Sequence, residues 1–178
     1  MRWRIERLGV VGSTNDLALA RARAGEPEGL VLVAEAQNRG RGRAGRVWSS
    51  PPGNLYLSLL LRPQKVAAEL ASLSLLCGLV AAEAIAAVTA GELLVRLKWP
   101  NDLLVGGAKL GGILIEAETT TTGLAIVVGL GVNVRIAPAL PDRQSVSLAA
   151  LLAPPPTAET LLVAFLERFA PAYGRWTE

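Results

Sequence analysis

The segment NRGRGRAGRVW, residues 38–48, places four arginines among three glycines in eleven positions and ends on Trp48. Arg39, Arg41, Arg43 and Arg46 are planar cationic forks suited to carboxylate and phosphate. Gly40, Gly42 and Gly45 let backbone N–H groups turn inward and let a ligand approach the main chain. Such a stretch repels itself when empty, so it is expected to order over an anion. Single-stranded nucleic acid is the rival partner for an Arg/Gly segment, and a solvated basic loop is the plainest reading. Against nucleic acid stand the segment's shortness, its place between two strands and its single aromatic residue.

Three further stretches could share that chemistry. In KWPNDLL (98–104), Pro100 fixes a turn that presents Lys98, Asn101 and Asp102, with Trp99 as a packing anchor. Such a trio suits a triphosphate and its magnesium, which takes oxygen ligands; Asn-Asp after Pro is equally ordinary turn chemistry. In GGAKLGGIL (106–114), Lys109 precedes the bare pair Gly111-Gly112. Glycines inside a strand imply that a flat ligand or another backbone lies against the sheet. A lysine there could neutralise charge building up on a phosphate or carboxylate; the alternative is a surface lysine and a bulge. VVGLGVNV (127–134) repeats the theme and ends near Asn133. Its Gly129-Leu130-Gly131 lacks the third glycine and following helix of a dinucleotide fingerprint.

Composition removes other chemistries. The chain has no histidine, which excludes Ser-His-Asp triads, Cys-His dyads and imidazole bases. Cys77 is the only cysteine, so disulfides and cysteine-rich zinc sites are excluded and a reducing, cytoplasmic setting is expected. Eighteen basic against fifteen acidic residues give a net charge of +3, so an anionic partner must meet a local cluster rather than a global field. An apolar fraction of 51 % over 178 residues fits one globular domain, residues 1–178. Arg2, Arg4, Glu6 and Arg7 interrupt any secretory signal. Residues 66–88 are long enough to span a bilayer, but Glu69 and Glu83 lie inside, and a buried core helix is expected instead.

The elements that must position these residues follow from local signals. Residues 2–8 alternate as a strand. Ser13 with Asp16 three positions on marks a helix start, and Gly25 its stop. Residues 29–37 and 55–63 read as strands, the latter ended by Pro63, and 66–90 as a long helix. A strand over 92–99 stops at Pro100, and 101–118 form a hairpin about Gly106-Gly107. TTTTG (119–123) turns the chain into a strand over 124–136. A short helical stretch near 147–152 and an amphipathic helix from Thr157 complete the chain. Hairpins with inserted helices predict an α+β fold with a mixed, largely antiparallel sheet.

Taken together, STN (13–15), QNRGRGRAGRVW (37–48), PPGNLYLS (51–58), KWPNDL (98–103), KLGGILIE (109–116) and GLGVNV (129–134) resemble the biotin–protein ligases in order and spacing. That resemblance, from about residue 10 to 176, implies the biotin ligase and class II aminoacyl-tRNA synthetase type of fold. It also implies a two-step reaction in which biotin and MgATP give biotinyl-5′-adenylate and pyrophosphate. A lysine of a biotin carboxyl carrier protein then takes the biotinyl group. By matching position, Ser13, Thr14, Asn15 and Gln37 would meet the ureido end of biotin. Arg41, Gly42 and Arg43 would close over the adenylate, with Arg46 and Trp48 toward the nucleotide. Lys109, with Arg41, would act in catalysis, and Gly112 would be the surface under biotin. Asn101 and Asn133 would flank the nucleotide, and Asp102 would ligate Mg2+. Lipoate or octanoate ligases of the same fold are the nearest alternative. The resemblance further implies no DNA-binding repressor activity, since no winged-helix segment is present, and no C-terminal β-barrel in these residues. No membrane association is expected, and the resemblance leaves room for a homodimer. None of this chemistry requires histidine, because the acid is already an anion and catalysis is positioning plus electrostatics.

Overall fold

A computed structural model describes residues 1–63 and 70–178. Seven strands form one sheet in the order β1-β2-β3-β7-β6-β5-β4. Only β1 (Arg4–Val11) and β2 (Leu30–Gln37) run parallel; β2 with β3 (Leu55–Leu61), β3 with β7 (Gly123–Val132), β7 with β6 (Ala108–Thr120), and β6 with β5 (Asp102–Val105) and β4 (Arg96–Lys98) beyond it are antiparallel. The expected mixed, largely antiparallel sheet is observed.

Helix α1 (Thr14–Arg23) makes the crossover between the parallel strands. Ser13 caps it, accepting the amide of Asp16, and Gly25 beyond its end takes φ +85°. The β5–β6 hairpin turns on Gly106 and Gly107 at φ +58° and +86°, the double positive φ that a two-residue turn of this hand requires. Two expectations shift. β4 has only three residues, because its partner β5 offers a four-residue edge. β6 runs on to Thr120, so the turn shrinks to Thr121-Thr122.

Strand alternation sends two sets of side chains to opposite faces. Leu55, Leu57, Leu59 and Leu61 of β3 and Ile126, Val128, Leu130 and Val132 of β7 face α2 (Leu70–Val88) and α4 (Ala158–Thr177). Leu73, Cys77, Ala81, Ala84 and Ile85 of α2 and Phe165 and Phe169 of α4 complete this core. Helix α2 is long and apolar enough to cross a membrane, yet here it packs against the sheet and α4; the first residues of its expected span, 66–69, lie outside the described ones. On the other face, Leu30, Leu32, Leu60, Ala125 and Val127 are covered by Ala18 and Ala22 of α1. Helix α1 covers only part of that face. Further along β7 the same row continues as Gly129 and Gly131, and what lies over it is a cavity.

Candidate functional site

Register builds the floor of this cavity. Gly131 pairs with Tyr56 on one side and Gly112 on the other, and Gly112 pairs with Asp102. One row across β3, β7, β6 and β5 thus reads Tyr56, Gly131, Gly112, Asp102. The next reads Ser58, Gly129, Leu114. The space above is about 850 Å³, within the range of small-molecule sites. It is lined by every expected site residue except Asn133.

Trp48 lies directly on the bare strands. A Cβ added at Gly131 would stand 2.7 Å from its Nε1, and one at Gly112 would stand 3.5 Å from its ring. The glycine surface at Gly131 is therefore the seat of an indole, and Gly112 lies at that indole's edge. Trp48 Nε1 is buried and has no hydrogen-bond partner among the described residues.

At the α1 end, a polar network closes the cavity. Gln37 Oε1 accepts the Thr14 amide at 2.8 Å, and its Nε2 donates to Ser50 Oγ at 2.9 Å. Ser50 Oγ in turn donates to the Trp48 carbonyl, linking the start and end of the Arg/Gly loop. Asn15 Nδ2 donates to Leu114 O and to Glu116 Oε2, and Ser58 Oγ lies 2.6 Å from Asn15 Oδ1 and 2.7 Å from Thr14 Oγ1. A hydroxyl has one proton. Asn15 Oδ1 needs it, so the Thr14 hydroxyl donates either to Ser58 or to Gln37. Asn15 is thereby fully engaged in holding Glu116 and Ser58, and its carboxamide fills the space a Cβ at Gly129 would need. The Ser13 hydroxyl and the second proton of Gln37 Nε2 are left to meet a ligand.

The Arg/Gly loop is folded rather than frayed. Gly42 N donates to Arg46 O, Trp48 N to Gly40 O and Arg39 N to Gly12 O, and a single 3-10 turn spans Arg43–Gly45. The expectation that its charges lack partners without a ligand fails for Arg41. Its guanidinium forks onto Glu116 at 2.9 and 2.8 Å and reaches Asp16 at 2.5 Å. Glu116, then Asp16, hold the Arg41 guanidinium firmly in its charged form. The Arg43 and Arg46 side chains line the cavity and make no ion pair with a described residue, although Arg46 helps lower the pKa of Asp142 after Arg143 has done so more strongly.

Across the cavity, Lys109 Nζ sits 2.6 Å from Asp102 Oδ1 and 5.1 Å from the Trp48 ring centroid. Arg143 takes the other oxygen, Asp102 Oδ2, and also grips Asp142. The Asp102 carboxylate is thus held between two cations. This does not fit the expectation that it ligates Mg2+, since a metal would have to displace Lys109 or Arg143. Among the described residues no group of three acidic or cysteine side chains is placed to hold a metal.

Two more expectations change. Asn133 is buried outside the cavity; its Nδ2 donates to the carbonyls of Lys109 and Val146, so it braces the strand that carries Lys109. Trp99, expected to anchor the turn, is 63 % exposed. Asn101 lines the cavity, but its Nδ2 donates to Ile113 O and its own carbonyl accepts from Ile113 N, pinning the turn to β6. Glu116, Ser58, Arg143 and Asn54 escaped sequence reasoning. Glu116 sits inside the quoted KLGGILIE, where its spacing to Arg41 carries no local signal.

Comparison with known proteins agrees with this geometry. Residues 9–133 match the biotin/lipoate A/B protein ligase family. The chain is 38 % identical over 169 residues to biotin–[acetyl-CoA-carboxylase] ligase of Paracoccus denitrificans, covering 92 % of this chain and 69 % of that protein. It is 46 % identical over 129 residues to the bifunctional ligase/repressor BirA of Escherichia coli, covering 71 % of this chain and only 39 % of the relative. The fold matches biotin protein ligase from Aquifex aeolicus in complex with biotin and ATP at TM-score 0.83 and 31 % identity, over 98 % of this chain and 72 % of that one. It matches the Leishmania major biotin protein ligase in complex with biotinyl-5-AMP at TM-score 0.80 and 30 % identity, over 93 % and 73 %. With the family pattern running from the first strand to the end of β7 and the fold shared throughout, this chain belongs to the biotin/lipoate A/B protein ligase family.

Proposed function

We propose that the protein activates biotin with ATP to biotinyl-5′-adenylate and passes the biotinyl group to a lysine of a biotin carboxyl carrier protein. The observation that carries this reading is the division of one cavity. Neutral hydrogen-bonding groups, Ser13 and Gln37, lie at the α1 end, Lys109 lies across the floor beside Asp102 and Arg143, and Arg43 and Arg46 line the same cavity. A bicyclic urea suits the α1 end and a carboxylate meeting a polyphosphate suits the cations. Lipoate ends in a dithiolane without donors or acceptors, which would leave Gln37 Nε2 and Ser13 unmatched in the pocket.

In the first step a biotin carboxylate oxygen attacks the α-phosphorus. The new C(=O)–O–P bond forms as the bond to the bridging oxygen breaks, and pyrophosphate leaves with the electron pair. No base is required, because the nucleophile is already ionised. What the step needs is two anions held together and the growing charge on phosphorus stabilised. In this reading Lys109 lies at the junction of carboxylate and phosphate, and Arg43 and Arg46 hold the phosphates. Arg41 can leave Glu116 and Asp16 for the ligand, exchanging one anion for another. In the second step the carrier lysine amine attacks the mixed-anhydride carbonyl, loses its proton and expels AMP.

Residues 1–178 act in this reading as one catalytic unit, supported by one continuous sheet among the described residues. Mg2+ belongs to the nucleotide rather than to a protein-built site, and the setting is cytoplasmic. Incubation with biotin, MgATP and a carrier domain should add one biotinyl mass to a single carrier lysine. Pyrophosphate release should appear with biotin and not with lipoate. A carrier of unchanged mass together with no pyrophosphate release would refute the reading.

A further inference from the structure

Resting on that activity, we propose that Arg143 is a positioning residue for the adenylation step, acting through Asp102 to keep the Lys109 ammonium available to the reacting anions. No feature of the sequence singles Arg143 out. It lies 41 residues from its partner, in the irregular segment between β7 and the short helix α3 (Leu148–Leu151).

Three observations carry the assignment. The first is charge. Asp102 offers one oxygen to Lys109 and the other to Arg143, and the three side chains are only 11 to 23 % exposed. Without Arg143, Lys109 and Asp102 would form a closed, neutral pair in a poorly solvated place, where such a pair is hard to open. With Arg143, Asp102 keeps a second cation on its other oxygen, and Lys109 can turn toward a new anion while Asp102 remains compensated.

The second is mechanical. Lys109 N donates to Gln144 O, and Val146 N donates to Lys109 O, so the residues after Arg143 run as a parallel bridge along the backbone of Lys109. Asn133 Nδ2 touches the Lys109 and Val146 carbonyls and ties both to the end of β7. Arg143 and Lys109 are therefore carried by one braced unit.

The third concerns what Arg143 can itself bind. Its Nη1 is on Asp102, and its Nη2 and Nε are on Asp142. The guanidinium is held by carboxylates on both sides, as a spacer between acids is, whereas the Arg43 and Arg46 side chains have no such partners.

The test uses Arg143→Met, Arg143→Lys, Asp102→Asn and the Arg143→Met/Asp102→Asn pair in the full chain. Arg143→Met should lower the maximal rate of pyrophosphate release about tenfold, leaving the KM for ATP and the Kd for biotin within about twofold; in the Asp102→Asn background the same change should have little further effect. Arg143→Lys should restore most of the rate, since a compact cation can also take Asp102 Oδ2. Independently of any ligase activity, acylation of Lys109 by an amine-directed reagent, located by peptide mass spectrometry, should slow several-fold in Arg143→Met, because Asp102 then holds the ammonium alone. Should the wild type release no pyrophosphate, the ligase reading falls, and the labelling still decides whether Arg143 governs Lys109. Unchanged turnover in Arg143→Met, a loss additive with Asp102→Asn, an effect confined to the KM for ATP, or unchanged Lys109 labelling would each overturn the assignment.

Discussion

Lys109 combines three surroundings that no other described lysine has: a carboxylate, an indole face and a cavity floored by backbone. If it stabilises charge that appears as the anhydride forms, its loss should show in turnover more than in affinity. Lys109→Ala should therefore slow pyrophosphate release on the order of 10²–10³-fold, about 3–4 kcal/mol, while biotin affinity stays within about tenfold, ~1.4 kcal/mol. Folding should survive, because Asp102 keeps Arg143 when the ammonium is gone. Lys109→Arg should rescue only in part, since a planar fork cannot take the place of a point charge. Release at the wild-type rate in Lys109→Ala, measured under saturating biotin and MgATP, would remove Lys109 from catalysis.

The segment that leaves β7 is held by one side chain. Asn54 Oδ1 accepts the amides of Val134, Arg135 and Ile136 at 2.9 to 3.0 Å, and its Nδ2 donates to Ile136 O and the Tyr56 hydroxyl. Tyr56 is pushed up to about 12 by burial, against a smaller opposing effect of Asn54, so it remains a neutral donor. Asn54→Ala would orphan the buried amide of Val134 and free the part-buried amides of Arg135 and Ile136, and at about 1–3 kcal/mol for a buried unmatched group it should destabilise the fold by roughly 1–3 kcal/mol. The denaturant midpoint measures this directly; an unchanged midpoint would show that the bend is held by something else. The same residue shows why some of the architecture was legible and some was not. Ser13 with Asp16, Gly106-Gly107 and Thr157 announce caps and turns through contacts within three or four residues, and all three stand where the sequence places them. Asn54, by contrast, acts 80 residues away, and Arg41 meets Glu116 across 75. Such pairings exist only once strand register is fixed. Asn133 is ambiguous in the sequence for the same reason: an amide at a strand end suits a nucleotide and a neighbouring backbone equally well, and only the register shows that it faces the backbone.

Over the whole molecule, one sheet backed by α2 and α4 holds a fixed floor, and the ligand-facing motion falls to the loop at 38–48. Arg41 ties that loop at once to α1 through Asp16 and to β6 through Glu116. These pairs are half-exposed and so individually weak and salt-sensitive, which suits contacts that must be exchanged for substrate. The amides of Gly42, Arg46 and Trp48 should therefore exchange with solvent measurably more slowly when biotin and ATP are both present, while those of α4 stay unchanged. Identical exchange in the two states would mean that the loop is already in its working form. The glycine floor has a consequence of another kind, for how such a site can evolve. Gly112, Gly129 and Gly131 present bare main chain, so every mutation there adds atoms and none removes them. Selection can make this pocket shallower from below but never deeper. A descendant, natural or engineered, that accepts a bulkier acid must gain its room from above, and the indole of Trp48, seated on Gly131, is the part of the site with volume to give away.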